Sequence, residues 1–235
     1  MKTRLISYSQ VPTLWSKAPQ LELDKDPSLL GLIAYCARVS NPDNQNNTAT
    51  NEKLVKYLMK HKHWSPLEMV SVCMEVETTR DIGRQLLRHR SFSFQEFSQR
   101  YADPVKELEM VPREARLQDT KNRQNSIAIN MLDEDQRRIR EEWNMKQVKH
   151  IRATEELYNW AIKKGIAKEQ ARAVLPEGNT LSRLYVNGTL RSWIHYIELR
   201  GANGTQLEHM ELAWAVADAI VKIFPMAEEF KGTDI

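Results

Sequence analysis

Cysteine is nearly absent: two in 235 residues, Cys36 and Cys73, neither in a CxxC pair. That excludes a disulfide framework and a cysteine zinc site, and it points to a reducing, cytoplasmic setting. Long apolar runs are missing too. The longest, Leu29 to Ala37, is about half of the roughly 20 residues that a membrane-spanning helix needs. Met1-Lys2-Thr3-Arg4 leads into Leu5-Ile6-Ser7-Tyr8 and not into a long apolar stretch, so no secretory signal is readable and no membrane partner is expected. No internal repeat of about 20 to 50 residues is visible, which removes solenoids and propellers. What remains is a chain that is 41% hydrophobic, enough for a core.

Charge of one sign is scarce overall, at a formal net +3, but it is not evenly spread. Between Arg80 and Arg100 lie five arginines (Arg80, Arg84, Arg88, Arg90 and Arg100) against Asp81 and Glu96, an excess equal to that of the whole chain. Elsewhere acids and bases cancel. A concentrated, arginine-only segment suggests a site for a particular anion, whereas a nucleic-acid surface spreads Lys and Arg over a face.

Local patterns predict an α+β fold in one domain, 1–235, with a central, mostly antiparallel sheet flanked by long helices. The amino-terminal segment suits an edge strand. Asp26-Pro27 reads as an N-cap with proline at the first helical position. Leu29, Leu30, Ile33 and Ala37 continue that helix, and 41–51 is a polar loop. A second helix starts near Asn51. Ser65-Pro66-Leu67-Glu68 has capping-box spacing. Val70, Val72, Met74 and Val76 alternate with polar residues as a strand, and Ile82, Leu86 and Leu87 mark a helix. A charged helix over about 133–164 turns Ile139, Trp143, Ile151, Tyr158 and Ile162 inward; its run Arg137 to Glu142 is a solvated face with pairs at i,i+4. Two more helices lie near 190–200 and 206–223. The segment between Tyr101 and Asp133 reads as variable loop.

Arg84 and Arg88 are one helical turn apart, with Gln85 beside them, and Ser98, Arg100 and Tyr101 follow. Guanidinium forks match phosphate oxygens, a hydroxyl adds a neutral donor, and an amide suits a pyrimidine edge. The residues therefore propose a nucleotide-phosphate pocket at a strand–helix–loop junction. Solvated arginines pairing with Asp81 and Glu96 are the plain competitor. His61 and His63 have metal-like spacing but no completing ligand, so no metal is expected. Cys73 reads as strand packing.

Arg88-His89-Arg90, seven residues, then Ser98 resembles the signature of the flavin-dependent thymidylate synthases. Ala37-Arg38-Val39-Ser40, His61 to Glu68, Ala171 to Pro176, Leu190-Arg191-Ser192-Trp193, Leu199-Arg200 and Gln206-Leu207-Glu208 resemble that family's other motifs in order. The resemblance implies methylation of dUMP at C5, with the one-carbon unit from 5,10-methylenetetrahydrofolate and hydride from FAD reduced by NADPH, no enzyme nucleophile, and a homotetramer with shared sites. By position, dUMP would contact Gln85, Leu86, Leu87, Arg88, Glu96, Phe97, Ser98, Gln99, Arg100, Arg172 and Arg200, the last set against the uracil ring as the catalytic cation. FAD would contact Ser40, His63, Ser65, Glu68, Arg88, His89, Arg90, Glu96, Thr189, Arg191 and His195. Two positions depart from the family: Thr189 replaces the usual Asn, and His209 stands where an aliphatic residue is expected. Arg80 and Arg84 receive no role and read as solvated. The rival is a basic nucleic-acid-binding module using 80–100 with Phe92, Phe94 and Phe97 as stacking platforms.

Overall fold

In the computed structural model, which describes residues 1–11 and 26–231, the chain opens with β1 (Lys2–Tyr8), α1 (Leu29–Ala37) and α2 (Asn51–Lys60). Then come β2 (Ser71–Thr79), α3 (Arg80–Leu86), β3 (Ser93–Glu96), α4 (Pro104–Glu107), β4 (Arg116–Gln118) and β5 (Ser126–Ala128). The remainder is α5 (Glu134–Lys163), α6 (Lys168–Ala171), β6 (Leu181–Thr189), α7 (Leu190–Arg200) and α8 (Leu207–Val221). The main sheet is antiparallel throughout, in the order β1-β2-β6-β3, with β4 and β5 forming a separate hairpin. The α+β reading holds, and β1 is indeed an edge.

Register explains why one face is buried. Val72, Met74, Val76 and Thr78 of β2 lie opposite Gly188, Val186, Leu184 and Ser182 of β6, and all eight are buried. Because side chains alternate between faces, this pairing puts one continuous surface inward. α7, α8 and α1 cover it with Trp193, Tyr196, Leu212, Val216, Ile220 and Ile33. The Trp193 indole N–H donates to the Val72 carbonyl at 2.9 Å, fixing α7 over β2. Gly188 is required here: a Cβ would stand 2.2 Å from the Phe92 ring, which packs on Trp193 with centroids 4.4 Å apart. The opposite face carries cross-strand ion pairs, Lys2–Glu77, Arg4–Glu75 and Arg183–Glu77. Exposed pairs of this kind add about 0–1 kcal/mol each, so burial on the inner face decides the fold.

Several expectations are corrected. α1 begins at Leu29 with Ser28 as its cap: the Ser28 hydroxyl accepts from Gly31 N–H at 3.1 Å, while Asp26 accepts from Ser28. Ser65–Met69 is a 3₁₀ turn without a side-chain cap, so the capping box does not form; Glu68 bonds Arg191 instead. In α5, Ile151 and Tyr158 are buried as expected, but Ile139 is 50% and Trp143 44% exposed. Its charge pairs Arg137–Glu134 and Arg138–Asp135 are at i,i+3, whereas Glu142 pairs with Lys146 at i,i+4, as expected. The polar loop 41–51 contains 3₁₀ turns, and the 101–133 segment holds α4 and the β4–β5 hairpin. Among the described residues no helix is long and apolar enough to cross a membrane.

Candidate active site

Two strand-to-helix junctions build the centre. β2 passes through extended Thr79 into α3, and β6 through extended Thr189 into α7. Thr79 pairs with Leu181 and Ser71 with Thr189, so the helices start at opposite ends of adjacent strands. They run back over the same inner face, and their carboxyl ends meet. There the Arg200 Nε–H donates to His89 Nε2 at 3.0 Å. Such ends carry partial negative charge and favour cations, which suits Arg88 and Arg200.

His89, Tyr196 and His209 form a wall around this contact, with ring centroids 5.1 Å (His89–Tyr196), 5.7 Å (Tyr196–His209) and 6.3 Å (His89–His209) apart. Burial, then Arg200 and Arg88, push His89 down to about 4. Burial, then Arg200 and His89, push His209 down to about 3. Burial pushes the Tyr196 phenol up. All three are therefore neutral near pH 7. Because His89 Nε2 accepts from Arg200, its proton is assigned to Nδ1.

Next to this wall, Gln85 Nε2 donates to Gln206 Oε1 at 2.8 Å, and Gln206 Nε2 donates to Glu208 at 2.9 Å. His209 Nδ1 lies 3.2 Å from Gln85 Oε1. Glu208 is held by Arg116 and, at 3.2 Å, by Arg113. Burial raises the Glu208 carboxyl, but hydrogen bonds from its own backbone N–H, Arg116 and Gln206, with Arg113 nearby, outweigh that and hold it below the usual carboxylate value. Arg113 also reaches Asp81 and Thr79 (2.9 Å each) and the Gly178 carbonyl (3.0 Å). Arg113, Arg116 and Tyr196 escaped the sequence reading, since an arginine in an unpatterned loop carries no local signal. Gln206 and Glu208 stood in a motif without a role.

The Ser98 turn forms a second group. Tyr101 and Ala102 N–H both donate to the Ser98 carbonyl, and Arg100 N–H reaches the Ser98 hydroxyl at 3.4 Å. The N–H groups of Ser98 and Gln99 make no backbone hydrogen bond among the described residues, and buried Gln99 Nε2 has no partner. Arg100–Glu169 at 3.7 Å and Lys168 Nζ to the Tyr101 carbonyl at 2.9 Å dock this turn on α6, whose end leads into Arg172. Leu86 is buried and Leu87 half-buried under the turn after α3, Phe97 N–H donates to Arg183, and Arg88 and Arg90 are exposed.

A third group lies along α7. Arg191 bonds Glu68, and Trp64 meets His195 edge-on at 4.8 Å. Arg191 Nε is buried without a partner among the described residues. Ser65 and His63 are exposed on the same turn as Glu68, and Ser40 is exposed after α1. Thr189 caps α7, its hydroxyl accepting from Ser192 N–H at 3.3 Å. His195 and Arg191 of this group share α7 with Tyr196 and Arg200 of the first.

The solvated reading of Arg80 and Arg84 is overturned for Arg80. It is buried, with Glu96 at 3.3 Å and Glu177 at 3.6 Å, while Arg84 reaches the same two carboxylates. Glu96 also accepts from Ser182 at 3.0 Å. It is thus an internal counter-ion for arginines and not a free ligand group. Phe92 is buried against Trp193, which removes one of the three stacking platforms that a nucleic-acid module needs.

A family model described as thymidylate synthase complementing protein matches residues 23–226. A protein named "Flavin-dependent thymidylate synthase" from Synechocystis sp. is 47% identical over 208 residues, 88% of this chain and 92% of that one. The chain belongs to the flavin-dependent thymidylate synthase family. A Paramecium bursaria Chlorella virus 1 protein named "Probable flavin-dependent thymidylate synthase" is 51% identical over 194 residues, covering 83% of this chain and 86% of its own. In fold, the chain is similar to a UMP/dUMP methylase, PolB of Streptomyces cacaoi, with TM-score 0.75 at 24% identity over 97% of this chain and 93% of that one. In the structure, Arg88-His89-Arg90 and Leu199-Arg200 share one contact.

Proposed function

We propose that this chain is an FAD-dependent thymidylate synthase that methylates dUMP at C5. The one-carbon unit comes from 5,10-methylenetetrahydrofolate, and NADPH is the reductant. The observation that carries this is the Arg200–His89 hydrogen bond, which joins the cation proposed for the uracil ring to the signature motif 111 residues away.

In this reading the Ser98 and Gln99 N–H groups, with Arg88, Arg100 and Arg172, receive the dUMP phosphate; Leu86, Leu87 and Phe97 line that side. The orphaned Gln99 amide fits an anion or a carbonyl. Gln85 reads the pyrimidine edge. Arg200, a permanent cation beside neutral His89, stabilises negative charge developing on the ring and raises the nucleophilicity of C5. C5 forms the new carbon–carbon bond and loses its proton. The cysteines are poor candidates for activating the ring, because burial pushes both the Cys36 and the Cys73 thiols up.

The flavin fits the third group. Arg191 presents a buried, unpartnered N–H, Arg90 is exposed beside His89, and Trp64 with His195 gives an aromatic edge. Ser40, His63, Ser65 and Glu68 border it, while Thr189 and Glu96 act from behind, as cap and counter-ion. Bound there, FAD supplies the hydride that completes the methyl group. Leu157, Trp160 and Met145, large apolar residues left exposed on α5, support a homotetramer with shared sites.

The test is direct. Purified protein should be yellow, bleach with NADPH, and form dTMP from dUMP and methylenetetrahydrofolate. Protein that cannot be loaded with FAD refutes the proposal.

A further inference from the structure

His209 departs from the family pattern, and it is fully buried beside Gln85. Its role follows from hydrogen-bond polarity. Glu208, an ionised carboxylate gripped by Arg113 and Arg116, can only accept. Gln206 must therefore turn its NH₂ to Glu208 and its carbonyl to Gln85. Gln85 must then offer its NH₂ to Gln206, leaving its carbonyl toward His209. That carbonyl can only accept, so His209 carries its proton on Nδ1. Each link fixes the next, and the end that needs no assumption is the carboxylate.

We infer that His209 is a positioning residue for pyrimidine recognition: with the Glu208–Gln206 arm, it locks the Gln85 amide in one of its two flipped orientations. The inference rests on the proposed dUMP function and deepens it. A locked Gln85 keeps one N–H and one carbonyl lone pair free, side by side. This is the pattern that complements an imide edge, where a ring N–H adjoins a carbonyl, as in uracil. A cytosine-type edge in the same pose sets a bare ring nitrogen against the amide carbonyl and an amino group against the amide N–H, acceptor to acceptor and donor to donor, and matches neither. An aliphatic residue at 209 holds the amide from one side alone.

The neutral state supports this arrangement, since a doubly protonated imidazole beside Arg200 would add a buried like charge. Burial and Arg200 disfavour that form. Nε2 is left as a buried acceptor without a partner among the described residues, consistent with Nδ1 being the working nitrogen.

The experiment measures dUMP affinity and steady-state constants for His209→Leu, His209→Asn and Gln85→Leu, and for the double variant Gln85→Leu/His209→Leu, on FAD-loaded protein. Asn places an amide N–H near the position of Nδ1, so His209→Asn should stay within about 3-fold of wild type in KM for dUMP. His209→Leu loses the donor, and one hydrogen bond corresponds to roughly 10-fold in KM. Flavin content and kcat should change far less, which a general packing defect would not allow. In the double variant the His209→Leu effect should vanish, because it acts through Gln85. If His209→Leu fails to fold, the comparison of His209→Asn with His209→Gln, whose amide sits nearer Nε2, decides: equal KM values overturn the inference. So does a His209→Leu enzyme with wild-type dUMP affinity. Wild-type protein that binds FAD but no dUMP would instead overturn the proposed function.

Discussion

Two buried imidazoles next to a permanent cation make stability depend on acid in a calculable way. His209 is pushed down to about 3 from an ordinary 6.5, and His89 to about 4. Above about pH 6.5 both are neutral folded and unfolded, and neither opposes folding. As the pH falls below that value, the unfolded chain takes up protons that the folded site refuses. The stabilisation is therefore present above the unfolded value and is lost as pH falls through the window toward 4 and 3. Each group contributes about 1.4 kcal/mol per pH unit within its window. From about pH 7.5 to about pH 4.5 this comes to roughly 2.5 kcal/mol for His209, a large part of a typical 5–15 kcal/mol. His209→Asn isolates the effect. Its packing penalty is present at both pH values and cancels, as do His89 and the carboxylates common to both proteins. Urea unfolding at one protein concentration should show wild type losing about 2.5 kcal/mol more than the variant over this range. Parallel curves, within about 0.5 kcal/mol, would show that His209 takes up its proton readily in the folded protein. The neutral cage around Arg200 would then be wrong.

Arg200→Ala should keep its visible flavin absorbance but lose dTMP formation by about 100- to 1000-fold, the usual cost of removing one preorganised charge-stabilising donor. Turnover at the wild-type rate would refute its role at the ring. Glu96→Gln leaves buried Arg80 with only half-exposed Glu177. Removing one partner of a buried pair costs about 3–5 kcal/mol, and the surviving partner reduces this to about 2. For a chain of this size that lowers Tm by about 4–8 °C in a thermal melt. An unchanged melt would return Glu96 to the pool of free ligand groups.

How much was legible depended on whether the signal was local. β2 could be read because Val72, Met74 and Val76 alternate cleanly with polar neighbours. Its partner β6 escaped notice, although it has the same period. Two of its inward positions are Ser182 and Gly188, the latter emptied to admit Phe92, and small residues dilute the apolar alternation. In α5 the apolar spacing was real, but spacing does not say what covers a stripe, so Trp143 and Ile139 read as core and proved exposed. Asp26 and Ser28 both have capping side chains two residues apart, and the proline between them drew the reading one step early. The motif residues were legible as a set only because they resemble a family. Nothing in one chain says that Arg113 will bind Glu208.

The charge excess shows what resemblance and geometry each contribute. Five arginines between Arg80 and Arg100 suggest a single cationic site, yet the fold divides them. Arg80 and Arg84 are spent on Glu96 and Glu177, and Arg100 leans on Glu169. Among the described residues Arg88 and Arg90 have no carboxylate partner, and Arg200 meets only the neutral ring of His89. A paired arginine meets a ligand anion with part of its charge already balanced, whereas an unpaired one keeps its full attraction. The free cations are thus those flanking His89, where the two helices converge, and Arg80 anchors β3 and the turn beyond it from beneath. The sequence excess of +3 marks the right segment, but ion pairing inside the fold decides which of its arginines remain available to a ligand.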